Sequence, residues 1–176
     1  MLFVETAIRG AFILEPERLE DERGFFARTW SMDEFEKHGL NPRLVQCSIS
    51  FSKKRGTLRG MHFQLPPYRE AKLVRCTMGA IFDVILDLRR DSPSFLGWVG
   101  HELTAENRKM AYIPEDVAHG FQTTMDDTEV FYQMSEFHHL ESASGTRWND
   151  PAFGIDWPVK DVTVSSRDDN FELWRS

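Results

Sequence analysis

Cysteine is nearly missing: Cys47 and Cys76 are the two in 176 residues. Two cannot build a disulfide framework, which points to a reducing compartment, the cytoplasm. Both lie in alternating apolar stretches and are expected as small buried hydrophobes. No run of eighteen apolar residues occurs, so no membrane-spanning helix and no membrane partner are expected. The start, Met1-Leu-Phe-Val-Glu5, meets an acid at once and lacks the basic-then-apolar layout of a secretory signal. An excess of base is missing as well. The net charge of −7 argues against a nucleic-acid partner. Internal repeats, low-complexity tracts and linkers are also lacking, which leaves a single domain over residues 1–176.

What is present reads as an all-β chain. Hydrophobic content of 41% and charged content of 28% suit a globular domain. Strand-like runs fall at 11–14, 25–30, 44–50, 72–78, 81–88, 98–103, 110–113, 121–124 and 129–135. Turn residues separate them at close intervals, the pattern of a sandwich or barrel. Gly79-Ala80 predicts a tight hairpin between the fourth and fifth of these runs. Ser31-Met-Asp-Glu34 predicts a capping box opening a short helix that Gly39 closes. Residues 145–176 are irregular and aromatic, and are expected to wrap the outside.

The stretch from Arg55 to Arg75 concentrates polar chemistry. Residues 41–80 hold eight basic side chains against the single acid Glu70; the window nets +7, so the rest nets −14 of the total −7. A local positive segment in an acidic chain suggests an anionic ligand, and a concave sheet would converge such groups on one pocket. In a regular strand His62 and Gln64 share one face, and Arg59 and Met61 share a face with each other. His119 follows Ile113-Pro114 in a spacing reminiscent of the second half of the cupin signature. Metal-binding cupins supply His-x-His earlier, where this chain has His62-Phe63-Gln64, so a bound metal is disfavoured. Lys72 reads either as a snorkelling surface lysine or as a cation for an oxyanion. Tyr132 and Asp168 would each pass, by position alone, for ordinary packing and surface residues. His138-His139 would point to opposite faces of a strand and make a poor ligand pair.

Gly56-Thr-Leu-Arg-Gly-Met-His-Phe-Gln64 followed by Lys72-Leu-Val-Arg75 resembles the dTDP-4-dehydrorhamnose 3,5-epimerase family. Further matches run nearly end to end, including Asp21-Glu-Arg-Gly-Phe-Phe26, Ile81-Phe-Asp-Val84, Ala118-His-Gly-Phe121, Glu129-Val-Phe-Tyr132 and Trp148-Asn-Asp-Pro151. The resemblance implies a metal-free, cofactor-free cupin jelly roll with a few short helices, forming a homodimer that exchanges N-terminal strands from about residues 1–30. Its substrate would be a nucleotide-diphospho 4-keto-6-deoxy sugar. It further implies His62 as general base with Asp168 as carboxylate partner, Lys72 at the enolate oxygen and Tyr132 as acid on the opposite face. His119 would line the sugar pocket, and Arg59 with Gln46 would bind the diphosphate. Arg23 and Phe26 would reach over from the neighbouring subunit, and Glu129 and His138 complete the candidate contacts. Two departures stand out: Ser135-Glu-Phe-His138 replaces a common tyrosine pair, and Ser48 replaces a common asparagine. A C3-only or C5-only epimerase, acting on a dTDP or CDP sugar, carries the same acid–base set. A metal cupin or a non-catalytic sugar-nucleotide binder are the rival readings from other classes.

Overall fold

A computed structural model describes residues 1–174; the last two positions of the expected C-terminal wrap, 175 and 176, lie outside the described residues. The chain opens with β1 (Leu2–Glu5) and β2 (Phe12–Glu15), then β3 (Arg18–Asp21) and β4 (Gly24–Ala27), then the helix α1 (Met32–Lys37). Eight strands follow: β5 (Gln46–Ser52), β6 (Thr57–Gln64), β7 (Lys72–Met78), β8 (Ala80–Asp87), β9 (Trp98–Thr104), β10 (Met110–Ile113), β11 (Val117–Thr123) and β12 (Thr128–Met134). Short β13 (Ala143–Gly145), β14 (Thr163–Val164) and the one-turn α2 (Ser166–Asp169) end it.

Apart from β3 and β4, which pair only with each other, these strands form two facing sheets, a jelly roll of the cupin type. One runs β1-β2-β10-β7-β12-β5 and the other β13-β6-β11-β8-β9, with β14 added in parallel to β6. Alternation decides what lies between them. Ile13, Val74, Ala111 and Val130 from the first sheet meet Ile81, Ile85, Val117 and Phe121 from the second. Outside the second sheet, Phe153 and Trp157 of the C-terminal segment cover Leu58, Val84 and Leu86. Outside the first sheet, Phe35 of α1 packs on Phe12, Leu73 and Tyr112, but this cover stops short of β5.

Three expectations need correcting. The 72–78 and 81–88 runs do form strands but not a hairpin, because β7 pairs with β10 and β12 while β8 pairs with β9 and β11. The chain crosses from one sheet to the other at Gly79, whose φ is +77° and whose Cβ would sit 2.4 Å from Thr128 Oγ1. The helix at 32–37 forms without its capping box. Ser31 bonds the Asp33 carboxylate instead, and Glu34 turns to the Met1 ammonium at 2.9 Å. Cys76 is buried as expected, and burial pushes its thiol up to about 11. Cys47 is exposed, because it lies with Ile49 and Phe51 on the uncovered face of the edge strand β5.

Candidate active site

Regular pleating would put Arg59 and His62, three residues apart, on opposite faces. Both nevertheless line one cleft of about 580 Å³, with Ser50, Tyr132, Arg167 and Asp168. A bulge makes this possible. His62 pairs with His119 and Arg59 with Phe121, so Gly60 and Met61 together oppose Gly120. Met61 turns into the outer layer, fully buried. The two backbones meet so closely that a Cβ on Gly60 would lie 2.5 Å from the Gly120 Cα. Arg59 and Met61 therefore do not share a face, contrary to the regular-strand expectation.

Asp168 reaches the cleft from the far end of the chain. β14 lies alongside β6, and the Ser165 hydroxyl caps α2 by accepting the Asp168 N–H at 3.1 Å. One Asp168 oxygen contacts His62 Nε2 at 2.8 Å, and the other accepts the Gly60 N–H at 3.1 Å. Burial pushes this carboxyl's pKa up, but the His62 ring, with Gly60 and Ser165, outweighs that and holds it below its ordinary value. An ionised carboxylate only accepts, so Nε2 carries a proton and Nδ1 of neutral His62 keeps its lone pair.

Tyr132 faces the cleft from β12, on the sheet opposite His62, with its hydroxyl 3.2 Å from Ser50 Oγ. Burial pushes its phenol up to about 12, so it stays protonated throughout the neutral range. Lys72 lies in a smaller adjoining recess of about 150 Å³, whose lining includes His62, Gln64, Glu70, His138 and Arg167. Its ammonium is 3.0 Å from the Glu70 carboxylate.

The remaining candidates divide. Gln46, at the start of β5, accepts the His138 N–H at 3.3 Å at the edge of that recess. His119 is nearly sealed at 4% exposure, bonded through Nε2 to Asp83 at 2.7 Å and packed perpendicular to the Tyr132 ring. It stands behind the cleft rather than among its lining side chains. Glu129 points the other way: Val130 packs in the core and Tyr132 faces the cleft, whereas Glu129 bonds Thr77 Oγ1 at 2.8 Å. Arg23 and Phe26 sit on the exposed β3–β4 hairpin, 84% and 70% free, and Arg23 binds Asp21. The basic window does not converge as a whole. Arg59 and Lys72 reach the two cavities, while Arg43 and Arg69 pair with Glu136 and Asp116 at the surface.

Sequence reasoning missed Arg167, which lines both cavities, Asp83 and Glu70. Arg167 and Glu70 carried a usable signal: one adjoins Asp168, and the other precedes Lys72 by two residues, the same-face spacing of an extended chain. Among the described residues, no group of three or more His, Cys, Asp or Glu side chains is arranged to hold a metal ion.

Residues 5–176 match the sequence profile of the dTDP-4-dehydrorhamnose 3,5-epimerase family. The dTDP-4-dehydrorhamnose 3,5-epimerase of Methanothermobacter thermautotrophicus is 44% identical over 176 residues, covering 98% of this chain and 94% of that protein. Among solved structures, the enzyme of that name from Elizabethkingia anophelis superposes with a TM-score of 0.96 at 37% identity, covering 99% of this chain and 96% of that one. The Bacillus anthracis enzyme, solved with TDP and PPi bound, gives 0.94 at 39% identity, with 98% and 99% covered. Profile, sequence identity and superposition each span nearly the whole length, and the chain belongs to the dTDP-4-dehydrorhamnose 3,5-epimerase family.

Proposed function

We propose that this protein inverts C3 and C5 of dTDP-4-dehydro-6-deoxy-D-glucose, giving dTDP-4-dehydro-L-rhamnose. The observation that carries the reading is the cleft in which the His62–Asp168 pair and the Tyr132 phenol line facing sheets. Both carbons flank the C4 ketone, so the same carbonyl acidifies the hydrogen on each. His62 Nδ1 takes that proton, and the C–H electron pair moves to leave an enolate with its charge on the C4 oxygen. Asp168 stabilises the imidazolium so formed. The Lys72 ammonium stabilises the enolate oxygen, a contact worth roughly 3 kcal/mol. Tyr132 returns a proton to carbon from the other side, which inverts the centre. Arg59 holds the diphosphate, and Arg167, also at the cleft, shares that charge. His119 acts through Tyr132, whose ring it supports from behind.

The working form is a homodimer. Ile49 and Phe51 are 63% and 43% exposed on the uncovered side of β5, and Arg75 lies over the ring of Phe131 on the same face. A second copy seated there would cover these groups. It would also bring the β3–β4 hairpin, with Arg23 and Phe26, to its neighbour's cleft. The two cysteines are free thiols, and no helix among the described residues is long and apolar enough to cross a membrane. Free thiols support a cytoplasmic location.

Incubating enzyme and dTDP-4-dehydro-6-deoxyglucose in heavy water tests the reaction. Deuterium is expected at both C3 and C5 of the recovered sugar. Label at one carbon alone would make this a mono-epimerase, and tight dTDP-sugar binding with no label would make it a non-catalytic binder.

A further inference from the structure

Glu70 is the acid among the side chains lining the Lys72 recess. The two side chains are 9% and 12% exposed and 3.0 Å apart. Neither has another ion pair or side-chain hydrogen bond among the described residues. The backbone between them is clamped: Ala71 N–H donates to Ser135 Oγ at 2.7 Å, and Ser135 N–H donates to the Ala71 carbonyl at 3.0 Å. Glu70 is thus held on β12's end rather than left on a free loop. The other charged or titratable groups facing the recess are His62 with its partner Asp168, His138 and Arg167. Without Glu70, Lys72 would share its recess with the Arg167 cation and two imidazoles, and the carboxylate nearest to these, Asp168, is already engaged by His62. With its anchor gone and a like charge beside it, the flexible side chain would swing toward solvent.

We propose that Glu70 is the positioning residue of the epimerisation, fixing the Lys72 ammonium in its recess so that it meets the enolate oxygen. This rests on the role given to Lys72 above. A paired cation is aimed before the substrate arrives, and little reorganisation is then needed when charge develops at C4. The effect belongs to the reacting state, so it should appear in kcat rather than in substrate affinity.

The test compares wild type with Glu70→Gln, which keeps shape and loses charge, and Glu70→Asp, which keeps charge on a shorter arm. Two readouts are taken at one pH: steady-state kinetics with the 4-keto sugar, and the acylation rate of Lys72 relative to exposed Lys54 by peptide mass spectrometry. For Glu70→Gln, kcat is expected to fall roughly tenfold with KM within about twofold, and Lys72 acylation to rise several-fold. Glu70→Asp should recover part of both. A Glu70→Gln enzyme matching wild type in kcat and in Lys72 labelling overturns the inference, as does a loss in both variants that tracks KM. If wild type itself gives no exchange at C3 or C5, the reaction assignment fails instead, and the labelling ratio alone decides whether Glu70 controls Lys72.

Discussion

Two histidine–aspartate pairs lie in one barrel at nearly the same separation, 2.8 Å for His62–Asp168 and 2.7 Å for His119–Asp83. Their surroundings differ. The His62 side chain is 35% exposed and opens on the cleft, whereas His119 and Asp83 are 4% and 0% exposed. Their carboxylates differ too. Both oxygens of Asp168 are engaged, by the ring and by the Gly60 N–H, while the second oxygen of Asp83 has no hydrogen-bond partner among the described residues. A base must touch its substrate and then return the proton to solvent, and only the open pair has access to both. Separation alone therefore does not tell the two pairs apart; access does.

The sharpest way to break the contrast is to remove the open ring. For His62→Ala, exchange into the sugar is expected to fall by about 10²–10⁴-fold, the usual contribution of a positioned base. The Kd for dTDP should stay nearly unchanged, because the proposed phosphate contacts, Arg59 and Arg167, are left in place. Isotope exchange beside calorimetric titration with dTDP checks both halves, and a variant exchanging at the normal rate would refute the assignment of the base.

Asp168→Asn should approach but not exceed that loss, up to about 10⁴-fold in kcat, since the ring remains but loses its orienting and charge-stabilising partner. It should also alter acid stability. Because the fold holds the Asp168 carboxyl below its ordinary value near 3.8, its pairing contributes stability above that pH. The contribution is lost as pH falls through the folded-state value. Unfolding midpoints measured from pH 5 down to pH 2 should therefore decline less steeply in the variant than in wild type.

How much of this was legible before folding depended on the range of the interaction. β7 and β10 were readable to the residue from alternation, and the family motifs pointed to His62, Tyr132, Lys72 and Asp168. The sheet crossing at Gly79 was not, since a glycine turn between two apolar runs looks the same whether the runs pair with each other or with other strands. The β6 bulge was hidden for a similar reason: it needs Gly60 and Gly120 in contact across two strands sixty residues apart in number. Asp83 lay inside a recognised motif, yet its partner became visible only through the β8–β11 register, which sets Ile85 rather than Asp83 opposite His119 and leaves the pair diagonal. Glu129 stands an odd number of residues from Tyr132, which turns it to the opposite face of β12, onto Thr77.

The smallest catalytic effect is expected at the sealed pair. Asp83→Asn changes a side chain of which one oxygen has no partner among the described residues, which reduces what the change removes. The bond to His119 is weakened in a fully buried position, and a loss of about 2 kcal/mol follows from leaving such groups poorly matched. For a chain of this size that lowers the melting midpoint by roughly 4–8 °C. Activity below the transition should stay within about fivefold of wild type, because His119 reaches the cleft only through the Tyr132 ring it packs against. Differential scanning calorimetry paired with the exchange assay separates the two effects. A stable Asp83→Asn protein with exchange as low as Asp168→Asn would erase the distinction between the pairs and make the buried histidine part of the proton chemistry.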